Sequence, residues 1–159
     1  MILYVTAALG HTDITKNTQT GAIQFNSASG VSEAYTGECQ IIADQGAYVD
    51  VFGDIEVIAE NGSHVSGYCG SRIVARLGSL VTAEEGCYVV AEYGSFVTAY
   101  DGSRVYALYG SQIKARCGSY VVAQEGALVD QFCGCKVVDS TGSTISLIGT
   151  SVQTTLMGR

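Results

Sequence analysis

At 159 residues the chain is long enough for one domain, and no run approaches the ~18 apolar residues of a membrane span, so no membrane insertion is expected. Its formal charge of −7 argues against nucleic acid or an anionic membrane as the main partner, because both require a basic footprint. Only 14% of residues are charged, Gly is abundant at 20 and Pro is absent, a composition that points to regularly repeated turns.

Met1 to Leu9 lacks a basic n-region and a clear cleavage site, so no signal peptide is expected. Residues 1–37 do not keep the eight-residue register of residues 38–149, since its inward β-branched position would fall on Asn17 and Glu33. With Thr12, Asp13, Thr15, Thr18 and Thr20 they read as an irregular N-terminal arm or cap. A stack of strands needs such a cap over its unpaired end.

From residue 38 to 149 an eight-residue repeat takes over. Glycines recur at every eighth position from Gly62 to Gly142 without a break. With Gly as position one, position two is usually Ser, as in Ser71, Ser79, Ser95, Ser103, Ser111 and Ser119. Position four is β-branched in fourteen consecutive units, Ile41 to Ile145, and position six is mostly Ala. Side chains two apart share a face of a strand, so Ser, Val and Ala point one way while positions three, five and seven point the other. Gly suits the corner because it accepts positive φ, and β-branched residues suit the pleat. One such unit cannot bury its own face, so the units must stack. The expected fold is all-β, a β-solenoid (β-helix) of eight-residue strands.

The outward position five reveals a longer period. In alternate octads it is apolar or aromatic: Ile42, Ile58, Val74, Val90, Tyr106, Val122 and Val138. In the others it is polar: Asp50, Ser66, Thr82, Thr98, Lys114, Asp130 and Ser146. The alternation favours sixteen residues per two-sided coil over a three-sided coil of twenty-four residues or an interwound three-chain helix. Ile58, Val74, Val90, Tyr106, Val122 and Val138 then form a continuous stripe, and an exposed apolar stripe marks an interface. Beside it, Glu56, Arg72, Tyr88, Arg104, Tyr120 and Lys136 form a column in which cations can stack on tyrosines. The inward position turns polar at Gln131 and Asp139, and residues 150–159 read as a C-terminal tail or cap.

All six cysteines flank one corner type: Cys39, Cys87 and Cys135 at position two, Cys69, Cys117 and Cys133 at position eight of the preceding octad. Three readings compete: buried small side chains in place of Ser, disulfides within or between chains, and metal binding. The last has no CxxC pair to support it. Disulfides would place the mature protein outside a reducing cytosol.

No Walker, Rossmann or zinc-protease pattern is present, and neither His11 nor His64 has a nucleophile at a motif spacing. Glu85 and Asp101 stand sixteen apart on the cysteine-lined edge, where like charges would raise a pKa or attract a cation, but the repeat carries no insertion that could wall a cleft. No catalytic, cofactor-binding or metal residues are assigned, and the chain is not expected to be an enzyme. The column with Thr82 and Thr98 continues as Lys114 and Asp130, unlike the regular Thr array of an ice-binding face.

The units Val81-Thr-Ala83-Glu-Glu-Gly86 and Val121-Val-Ala123-Gln-Glu-Gly126 resemble octad repeats of bacteriophage virion proteins, over residues 38–149. They are also similar to the V-x-G octads of contractile-tail spike shafts, which form a trimeric β-helix, with Ala here in place of that family's second Gly. The resemblance implies a homo-oligomer, a trimer, in contact with other virion proteins as capsid decoration, linker or fibre segment. It implies assembly in a host cytoplasm followed by an extracellular life in the virion. The alternative is a tail-fibre or spike module binding a host-surface glycan or receptor on its Tyr-rich face.

Overall fold

Alternation along each short strand sends one set of side chains inward and the other outward, and the computed structural model arranges these strands in two facing sheets. It describes residues 1–37, 39–132, 134–140, 142–148 and 153–156. The first sheet has nine strands in the order β1 (Ile2–Val5), β5 (Gln40–Ala43), β7 (Glu56–Ala59), β9 (Arg72–Ala75), β11 (Tyr88–Ala91), β13 (Arg104–Ala107), β15 (Tyr120–Ala123), β17 (Lys136–Asp139) and β19 (Gln153–Leu156). The second has ten: β18 (Thr144–Ile148), β16 (Leu128–Phe132), β14 (Gln112–Ala115), β12 (Phe96–Ala99), β10 (Leu80–Ala83), β8 (His64–Tyr68), β6 (Tyr48–Phe52), β2 (His11–Lys16), β3 (Ile23–Ser27) and β4 (Ser32–Tyr35).

The protein is thus an all-β solenoid. Successive octads alternate between the sheets, and each strand pairs in parallel with the strand two octads on. Val89 lies opposite Ile73 and Val105, and Val97 opposite Val81 and Ile113, so neighbours in a sheet are sixteen residues apart. The strands themselves are shorter than the eight-residue unit. Those of the octad repeat have four or five residues, because the remaining positions form the corner. Gly94 has φ +72, and its N–H donates to Gly110 O at 3.0 Å, so the corners carry a hydrogen-bond ladder of their own.

The core is the thin layer between the sheets. Val81, Val89, Val97 and Val105 are buried with Ala83, Ala91, Ala99 and Ala107, and each fully buried Val contributes about 1.5–3 kcal/mol. The inward serines are buried as well. At Ser79, Ser95, Ser111 and Ser119 the hydroxyl donates to the carbonyl three residues back, that of Arg76, Glu92, Leu108 and Arg116 respectively, each at 2.6 Å. Ser at position two therefore closes the corner it follows. Gly67 replaces the usual Ala where Cys87 is bulkier than Ser: a Cβ on Gly67 would stand 2.5 Å from Cys87 Sγ.

At both ends, where the octad count reads an arm or cap and a tail or cap, further strands continue the sheets. β1 pairs in parallel with β5, Leu3 opposite Ile41 and Val5 opposite Ala43, and β2 pairs in parallel with β6. Thr12 and Ile14 point inward and are buried. The N-terminal segment is therefore one more coil, followed by an antiparallel extension in which β3 pairs with β2 and β4 with β3. Phe25 packs edge-on against Tyr35 there, with ring centroids 5.4 Å apart. This insertion before β5 breaks the count of eight. At the other end β19 adds a strand to the first sheet beside β17, and Asp139 accepts from Ser143 N at 3.0 Å and Ser143 Oγ at 2.9 Å.

Candidate functional site

Four surfaces follow from this winding: two flat faces and two corner edges. On the first sheet, parallel register places Ile42, Ile58, Val74, Val90, Tyr106, Val122 and Val138 in one vertical row. The row is half-buried between its flanking columns. Ile58 and Val138 are buried, and Tyr106 is the most open at 39%. The flanking column Glu56, Arg72, Tyr88, Arg104, Tyr120 and Lys136 is also in register. Lys136 Nζ lies 5.5 Å from the Tyr120 ring centroid, while Arg72 turns instead to Asp54 at 3.4 Å. Burial, and next the neighbouring Tyr106, push the Tyr88 hydroxyl pKa up.

The second sheet carries the polar row Asp50, Ser66, Thr82, Thr98, Lys114 and Asp130 between two apolar margins. Tyr48, Leu80, Phe96 and Leu128 are more exposed than the valine row, and they border a groove of about 630 Å³. Tyr48 stacks on His64 at 4.5 Å and Phe52 on Tyr68 at 4.8 Å. Arg116 sits 5.6 Å from the Tyr100 ring and 5.0 Å from Phe132.

The described cysteines differ in the direction of their thiols. Cys87 and Cys135 point inward, at 1% and 2% exposure, whereas Cys69 and Cys117 are exposed. No disulfide joins the described residues. Positions two and eight send their thiols to opposite sides of the backbone, which separates Cys69 from Cys87 despite their neighbouring coils. Cys133 lies outside the described residues. Cys135 Sγ donates to Phe132 O at 2.8 Å, reproducing the serine corner bond. Cys87 accepts from Ser71 Oγ at 3.4 Å, and burial pushes its pKa up to about 11. Glu85 and Asp101 share an open depression on one corner edge with Glu84, Tyr100 and Arg116.

Two groupings escaped the reading of the octads. On the opposite corner, Leu77, Tyr93 and Tyr109 form a ridge at 61%, 63% and 67% exposure, with the two rings stacked at 6.2 Å. All three occupy position eight of alternate octads, so the sixteen-residue period contained them. Beside the ridge Arg76 bridges Glu60 at 2.6 Å and Glu92 at 3.3 Å. The second grouping is His11, Asp13 and Asp50, where His11 Nε2 lies 3.3 Å from Asp13 Oδ1 and 3.2 Å from Asp50 Oδ2. No repeat position predicts it, because the β3–β4 insertion separates β2 from β6 in sequence.

These surfaces define a two-sided β-solenoid whose outward side chains stand in stacked columns. The chain matches no family model, no curated protein and no solved structure.

Proposed function

We propose that the chain is a non-catalytic structural protein of a virion, a capsid decoration, linker or fibre segment, that associates as a trimer through the first sheet. The observation that carries the reading is the unbroken row from Ile42 to Val138, apolar or aromatic at every coil on a flat outer face. Burying such a row against a second copy removes apolar surface from water at about 25 cal/mol per Å². The parallel ladders supply rigidity, and the virion setting draws on the octad resemblance.

Light scattering tests the association. The wild-type chain of 16.6 kDa is expected at three times its mass. Val90→Asp, which puts a charge in the middle of the row, is expected to run as a monomer with an unchanged circular dichroism spectrum. Thr98→Asp, on the opposite sheet, is expected to remain a trimer. A monomeric wild type at every concentration, or a trimeric Val90→Asp, refutes the interface. Capsid or tail genes beside the coding gene would support the virion setting. A second reading, a glycan-binding module, is favoured by the open aromatic margins of the second sheet, and a glycan array tests it.

A further inference from the structure

His11 and Asp13 are two residues apart on β2, so both project from the outer face of the second sheet. Parallel pairing of β2 with β6 sets Asp13 directly opposite Asp50. Two carboxylates are thereby held on adjacent strands with one imidazole between them. The three donor atoms lie within 4.8 Å of one another, and His11 Nε2 is 3.3 and 3.2 Å from the two carboxylate oxygens.

We propose that His11 Nε2 and one oxygen each from Asp13 and Asp50 bind a divalent transition-metal ion, which fastens the first coil to the regular repeat. Ligands at about 2.1 Å from an ion stand roughly 3.0–3.4 Å apart along the edges of a tetrahedron or octahedron, which is the separation found around His11. One imidazole with two carboxylates is a donor set for zinc, nickel, cobalt or manganese rather than for the oxygen-only coordination of calcium. Side-chain exposures of 53%, 49% and 24% leave room for water to complete the shell. The donors sit on paired strands, so little ordering remains to be done when the ion arrives. The location gives the ion a purpose. β2 is the last strand before the antiparallel insertion, and an ion shared between β2 and β6 holds the two coils together across that break.

The competing account is that His11, as an imidazolium, merely bridges two carboxylates. Calorimetric titration of nickel(II) into the full chain at about pH 7.5 separates the two. One ion per chain is expected, with a rise in melting temperature. His11→Gln, Asp13→Asn and Asp50→Asn are each expected to weaken binding at least about tenfold, since even outer partners of a ligand cost that much. His64→Gln, which removes the other imidazole, is expected to leave affinity and melting shift unchanged. A wild type that takes up no ion overturns the proposal. So do aspartate variants that bind as tightly as wild type, the result expected if exposed thiols were the ligands, and so does loss of the ion in His64→Gln.

Discussion

Replacing Ser95 by Ala removes a buried hydroxyl that donates to Glu92 O at 2.6 Å, and it should destabilise the solenoid by about 0.5–1.5 kcal/mol. The loss stays at that level because Glu92 O also accepts from Ser95 N at 3.2 Å and is not left without a partner. The smaller side chain already occurs at position two, where Ala47 and Ala127 are fully buried, so the site accommodates it. Ser63 occupies the equivalent place one sheet neighbour down the second sheet from Ser79, but its buried Oγ has no hydrogen-bond partner among the described residues. A buried hydroxyl without a partner costs about 1–3 kcal/mol, so Ser63→Ala should stabilise. The same substitution at the same repeat position should therefore shift the melting temperature in opposite directions, by roughly 2–4 °C per kcal/mol in a chain of this size. Thermal melts followed by circular dichroism measure both. If Ser63→Ala destabilises as much as Ser95→Ala, the corner bond is not why serine occupies position two.

Two further outcomes rest on the buried thiol. Cys87 has its folded pKa raised by burial from 9.0 to about 11, so its contribution to stability is intact below about pH 9 and is lost as pH rises through about 11. At about 1.4 kcal/mol per pH unit, wild type should lose about 2–3 kcal/mol more than Cys87→Ser across that window, measured by urea unfolding at each pH; parallel curves refute it. Gly67→Ala should cost about 1–3 kcal/mol by overpacking, since the new Cβ would meet Cys87 Sγ at 2.5 Å, Ser71 Oγ at 2.6 Å and Ile73 Cδ1 at 2.7 Å. Adding Cys87→Ser should restore part of that loss, and a double-mutant cycle with no coupling would contradict the contact.

The repeat made most of the fold legible. In a solenoid every lateral contact joins residues separated by one coil, so the apolar and polar alternation at position five already encoded a sixteen-residue register. From it came the sheet to which each octad belongs and the row through Val74, Val90 and Val122. The strands within residues 1–37, read from the octads only as an arm or cap, were hidden for a physical reason. Leu3, Val5, Thr12 and Ile14 alternate like core strands but carry no corner glycines at the repeat spacing, and the β3–β4 insertion displaces their count.

What the amino-acid sequence determined alone is the order along the rod, because periodicity and strand alternation are local properties of the chain. Only the tertiary structure decided how deeply each column lies. Flanking side chains half-cover the valine row, while Leu77, Tyr93 and Tyr109 are left open at a convex corner. It also separated the buried thiols from the exposed ones and brought His11 and Asp13 against Asp50. Those outcomes depend on side-chain direction at the corners and on contacts across an insertion, and neither is carried by spacing in the chain.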